Sequence, residues 1–123
     1  MIYTTYFAKV RKLPENVVPI AICAKVPDWF IGAEYHKLAP KYNTLMNYKR
    51  TGDVNTFKRE YKDLVLSTLD ANNVIKELKS LILHKTDSIA LVCYEKPADF
   101  CHRHLVAEWL QENGFECEEW CDV

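Results

Sequence analysis

The chain has no apolar run approaching the roughly 18 residues that suggest a membrane span, no internal repeat, no low-complexity tract and no linker-like stretch. Its 123 residues fit one domain, 1–123, long enough to bury roughly two-thirds of the unfolded surface. The opening MIYTTYFAKVRK lacks the basic region, apolar stretch and small-residue cleavage site of a secretory signal. Cysteine is present without a framework: Cys23, Cys93, Cys101, Cys117 and Cys121 are five in number and irregularly spaced, in a chain that is 49% hydrophobic. No disulfide scaffold is expected, and a reducing cytoplasm is the predicted setting. Net charge is nearly absent too, at −1. That balance conceals a gradient, because residues 1–62 carry 11 Lys/Arg against 5 Asp/Glu while residues 63–123 carry 5 against 12. A basic first half can serve an anionic substrate or nucleic acid, or it can consist of solvated helix faces attracted to the acidic half.

IYTTYF (2–7) and VVPIAICA (17–24) are rich in β-branched and aromatic residues and read as strands, with Pro19 a flaw in the second. Residues 28–52 are irregular apart from a short helix with Pro40 in its first turn, ended near Gly52, and this stretch is the expected lid or pocket wall. Asp53 and Asp70 stand as N-caps of two amphipathic helices, one with Phe57, Tyr61, Leu64 and Val65 inward, the other with Val74, Leu78, Leu81 and Ile82. SIALVCY (88–94) is continuously apolar, as a strand buried on both faces must be, and is expected to be interior and parallel to the first strand. A helix from about Asp99 to Asn113 follows, with Leu105, Val106, Trp109 and Leu110 inward. Gly114 ends it, Leu110 and Phe115 being placed for a Schellman contact. FECEEW (115–120) is an edge strand whose acids discourage further pairing. This order predicts a small three-layer α/β domain with a mainly parallel sheet of about four strands flanked by helices.

No other segment is as crowded with reactive groups as CYEKPADFCHRH (93–104). In open α/β sheets ligands bind beyond the carboxyl ends of the strands, and Cys93 and Cys23 both lie at such ends. Cys101, His102 and Arg103 fall in the first turn of the helix that Asp99 would cap, where free N–H groups and the helix dipole favour an anion. A thiol in that position beside an imidazole and a guanidinium is the better thiolate, so Cys101 is the candidate nucleophile or redox thiol, whereas an apolar strand would keep Cys93 neutral. Arg103 offers a planar fork for phosphate or carboxylate. His102, titrating near neutrality, can move a proton, with Glu95 as its orienter or as an acid/base itself.

Blander roles stand beside these. Cys23, Cys93, Cys117 and Cys101 can be packed core residues, His104 faces the helix exterior, and Cys117 with Cys121 is incidental. A structural metal site from Cys93, Cys101 and His102 or His104 lacks the recurrent spacing of two intervening residues, so no metal is assigned. Nine residues separate Cys93 from Arg103 without glycines between them, which argues against a cysteine phosphatase or rhodanese.

The stretch CYEKPADFCHRHLVAEWL resembles the signature of the bacterial and phage "domain of unknown function 488" family: an apolar strand ending Cys-Tyr-Glu, a short loop, then Cys-His-Arg opening a helix. The likeness extends upstream through VPDWF, HKLAPKYNTLMNYK (36–49) and TFKREYKDLVLSTLD (56–70). It implies a shared pocket built on Cys93, Glu95, Cys101, His102 and Arg103, walled by Tyr61, Lys49 and Pro27, with Lys25 a second basic group. The family's name states no activity, so the resemblance supplies neither cofactor nor reaction.

Three functional expectations follow. The first is an enzyme acting on a small anionic ligand such as a nucleotide or base, with Arg103 and the helix N-terminus on the anion, Cys101 as nucleophile, and His102 and Glu95 handling protons. The second is a binding module in which the same cluster recognises an anionic ligand or nucleic-acid end without turnover. The third is a structural metal site.

Overall fold

The computed structural model of the chain describes residues 1–84, 87–95 and 100–121. Five strands, β1 (Ile2–Tyr6), β2 (Val17–Ala21), β3 (Ala33–Glu34), β4 (Ser88–Cys93) and β5 (Cys117–Glu119), form one sheet in the order β3-β2-β4-β1-β5, with every pairing parallel. The apolar run 88–94 is indeed interior: β4 pairs with β1 from Ile2↔Ile89 to Tyr6↔Cys93 and with β2 from Val17↔Ser88 to Ala21↔Val92. Sheet packing on both sides demands apolar residues on both faces, and Ile89, Ala90, Leu91 and Val92 are all buried. The strand beyond the four expected is β3, two residues long, within the segment read as irregular.

Pro19 is accommodated by the shortness of β3. Ile22 N–H bonds to Val92 O on the β4 side while Tyr35 N–H bonds to Ala21 O on the β3 side. Alternation then turns the nitrogen of Pro19 toward β3, which pairs only at Ile20 and Ala21. The missing donor costs no ladder bond.

Helices α1 (Tyr42–Thr51), α2 (Val54–Leu64), α3 (Ala71–Ser80) and α4 (His102–Glu112) complete the fold. Side chains alternate across a strand. Ile2, Ile20, Ile89 and Leu91 join one core with Phe57, Tyr61, Val74, Leu78, Val106 and Leu110 from α2, α3 and α4. Ala21 and Val92, on the opposite face, pack with Phe7 and Phe30. Phe7 belongs to a 3-10 segment, Phe7–Lys12, that forms a thin third layer. No helix of the described residues is long and apolar enough to cross a membrane.

The buried stripes are narrower than the periodicity suggests: Leu64 and Leu81 are exposed, and Trp109 only partly buried. Asp53 and Asp70 cap α2 and α3, accepting from the N–H groups of Thr56 and Asn73. Pro40 precedes α1, whose N-cap is Lys41. The boundary difference that matters for the site concerns α4. Its expected cap, Asp99, lies outside the described residues, and Cys101 takes extended dihedrals (φ −149°, ψ 147°) as N-cap, leaving His102 as first helical residue.

The Schellman end forms as expected. Phe115 N–H bonds to Leu110 O and Gly114 N–H to Gln111 O, with Gly114 at φ 87°. A Cβ at Gly114 would meet no atom within 4 Å, so Gly114→Ala strains only the backbone. It should cost about 1–2 kcal/mol in urea unfolding at an unchanged m-value.

Candidate functional site

The carboxyl ends of β2 and β4 and the start of α4 meet at one edge of the sheet. There the sulfurs of Cys93 and Cys101 are in bonding contact across eight residues of sequence, while their Cα atoms stand 7.3 Å apart. Bridged cysteines keep their Cα atoms within roughly 4.4–6.8 Å. A strand end and a helix cap bring the two together as a disulfide whose Cα atoms stand wider apart than is usual, and the separate roles expected for the two cysteines become those of a pair.

His102 is buried beside them. Its Nε2 lies 2.8 Å from Ile22 O and its Nδ1 3.8 Å from Cys101 Sγ. A carbonyl only accepts, so Nε2 carries the proton and Nδ1 presents a lone pair to the sulfur. Burial lowers the imidazole pKa from 6.5 to about 4, outweighing the carbonyl contact. This corrects the expectation of a histidine titrating near neutrality, and its orienter is the Ile22 carbonyl, not Glu95. Tyr61 backs the ring at a centroid distance of 5.5 Å. The Tyr61 hydroxyl donates to Leu38 O, and burial holds the phenol protonated by raising its pKa.

Arg103 is fully buried. Nε and Nη2 donate to the two oxygens of Glu119 at 3.1 and 3.0 Å, and Nη1 donates to Glu95 O and, at 3.4 Å, to Cys93 Sγ. Tyr6 lies under the guanidinium, 5.7 Å away. The fork assigned to a ligand anion is therefore filled by the protein's own carboxylate, because a cation without water requires a partner at hand. The cation touches Cys93 rather than the Cys101 thiol expected beside it.

The pair opens on a cavity of about 440 Å³, within the range of small-molecule sites. Tyr48, Phe57 and Phe100 form an aromatic wall with ring centroids 5.1–5.5 Å apart. Cys93, Cys101 and His102 line it, as do Cys23, Tyr94, Glu95 and two exposed lysines, Lys25 and Lys49. Cys23 donates to Lys25 O, and burial pushes its pKa up to about 11.

Of the residues singled out from sequence, Cys93, Cys101, His102, Glu95, Lys49 and Lys25 thus share one cavity. Arg103 and Tyr61 sit behind it. Pro27 is not among its lining residues, and its carbonyl instead accepts from Phe30 N–H. His104, read as exterior, is half-buried, because the turn that seats Arg103 also tucks in its neighbour. Sequence reasoning missed Glu119 and the aromatic wall residues Tyr48 and Phe100. Glu119 was legible only as an acid in an edge strand, whereas Tyr48 follows Leu45 at helical spacing.

The family model described as "DUF488-N3a: Active DUF488-N3 subclade" matches residues 7–114. No curated protein and no solved structure matches the chain.

Two outcomes follow from the buried groups. Glu119→Ala should destabilise the fold by about 3–5 kcal/mol in urea unfolding, by stranding the Arg103 charge, while Arg103→Met combined with Glu119→Leu should recover much of that loss. The folded state holds His102 neutral, with a pKa of about 4 against 6.5 when unfolded. Its contribution is fully present above pH 6.5 and falls as the pH drops toward 4, by about 3 kcal/mol. Unfolding curves across that window should show the slope, and His102→Gln should remove it.

Proposed function

The chain belongs to the DUF488 family, and from that premise we propose that it is an enzyme acting on a small planar anionic ligand, a nucleotide or base, with Cys101 as nucleophile. The observation that carries this reading is His102, pinned by a carbonyl through Nε2 with Nδ1 turned to Cys101 Sγ at the edge of an aromatic-walled cavity. In the dithiol form Nδ1 takes the Cys101 proton, and the sulfur attacks an electrophilic carbon of the ligand. The imidazolium then returns the proton to the atom that received the electron pair. A base stacks against Tyr48, Phe57 and Phe100, and the ammonium groups of Lys25 and Lys49, rather than Arg103, meet its phosphate. Arg103 positions Cys93 and the loop carbonyl of Glu95. The family description's word "Active" accords with turnover and names no reaction.

A second reading is favoured by one specific observation: ligand atoms of Cys93, Cys101 and His102 lie within 4.8 Å of one another. Two thiolates and an imidazole whose other nitrogen donates to a carbonyl form a set suited to zinc.

Alkylation of the reduced protein near neutral pH, mapped by mass spectrometry, separates the readings. Cys101 should label faster than buried Cys23 and Cys117, a nucleoside monophosphate should slow it, and Lys25→Ala with Lys49→Ala should abolish that protection. His102→Gln should slow labelling about tenfold or more. Labelling of Cys101 no faster than Cys117, or indifferent to every nucleotide tried, would sink the enzyme reading. Stoichiometric zinc, with Cys101 reacting only after chelation, would establish the metal centre.

A further inference from the structure

Beside the cavity lies an aromatic row that core packing does not account for. Phe7 and Phe30 are buried and cover the sheet face opposite the helices. Trp29 and Tyr94 flank Phe7, with centroids 6.1 and 4.8 Å from it, yet remain 43% and 48% exposed. Tyr94 also lines the cavity, so the row runs from the cavity to Trp29 on the surface. Cations follow it. The Arg11 guanidinium lies over the Trp29 ring at 4.8 Å, Lys12 next to it is exposed, and Lys25, whose carbonyl accepts from Tyr94 Oη, is exposed at the cavity. Asp28 is the one acidic residue of the segment 25–31.

Exposed rings interleaved with cations are what a nucleic-acid strand requires: a π-face for each base and positive charge along its phosphates. A duplex does not fit, because a base within the stack cannot reach a thiol inside a recess. We propose that the substrate is a nucleotide within single-stranded nucleic acid, its base in the cavity and its neighbours stacked along Tyr94 and Trp29. Arg11, Lys12 and Lys25 hold the phosphates. This rests on the reading of the cavity as a nucleotide site, and it adds a surface, formed by residues 7–12 and 26–31, which that reading does not use.

The test is fluorescence anisotropy with end-labelled DNA and RNA oligonucleotides of one sequence, single-stranded and duplex, at several salt concentrations, alongside the mononucleotide protection of Cys101. The single strand should bind more tightly than both duplex and mononucleotide. Trp29→Ala should weaken it about tenfold while Trp29→Phe retains most of the affinity. Arg11→Gln with Lys12→Gln should lower the salt slope by about one. Preference for DNA over RNA, or the reverse, would identify the strand; either supports the proposal. Equal binding of duplex, no effect of Trp29→Ala, or no binding would overturn it. Should mononucleotides still protect Cys101 in that event, the cavity reading survives and only the strand surface fails; loss of both removes the nucleotide altogether.

Discussion

The ion pair between Arg103 and Glu119 is the constraint on which the site's geometry depends. A guanidinium with no solvent exposure has lost its hydration, a penalty of several kcal/mol that only close and complete pairing offsets. Arg103 achieves this by bonding to β5 and to the end of β4 at once, through a carboxylate that β1 also supports. Its Nε and Nη2 meet Glu119 on β5, and Thr4 of β1 donates its hydroxyl to the same carboxylate at 2.7 Å. Its Nη1 holds Cys93 Sγ and the Glu95 carbonyl at the end of β4. The first turn of α4 is therefore docked at a definite depth and rotation against the carboxyl edge of the sheet. Cys101 and His102 precede Arg103 directly, so their positions follow from its own.

Around that anchor the site divides its labour by dielectric. On the buried side stand groups in a single protonation state: a neutral His102, a protonated Tyr61, a Cys23 thiol. Their job is to present fixed lone pairs and donors. On the open side stand the exposed Lys25 and Lys49, with the aromatic trio of Tyr48, Phe57 and Phe100 beside them. On the proposed reading, a planar anionic ligand sets its ring toward the aromatic wall and its charge toward water. The Cys101 sulfur sits where the polarity changes, beside an imidazole that burial keeps neutral.

Most of the scaffold was legible because it rests on local rules. A continuous apolar run placed β4 inside a parallel sheet, Asp53 and Asp70 announced two helix starts, and Gly114 with Leu110 and Phe115 announced an end. Where reading failed locally, an interaction from elsewhere had intervened. Cys101 is extended rather than helical as its sulfur meets that of Cys93, and Leu64 stays exposed because α2 buries a narrower stripe than its periodicity allows. The two-residue β3 carries too little pattern to be read at all, yet it pairs with β2 beside Pro19 and explains how a proline sits in that strand.

For the site, the sequence alone determined which residues gather: a strand end and a helix start eight residues apart in an α/β chain bring Cys93, Cys101 and His102 to one edge, and the signature around them marks the family. What each residue does was decided only by the tertiary structure. The proton on His102 is set by a carbonyl 80 residues earlier in the chain, and the occupant of Arg103 by a carboxylate on a strand that follows its helix. The cavity's aromatic wall comes from two helices and a loop that no spacing rule connects. Membership in a cluster is a matter of covalent geometry and chain direction, which sequence encodes. Charge state and hydrogen-bond partner depend on desolvation and on whichever group lies opposite, and these exist only once the chain has packed.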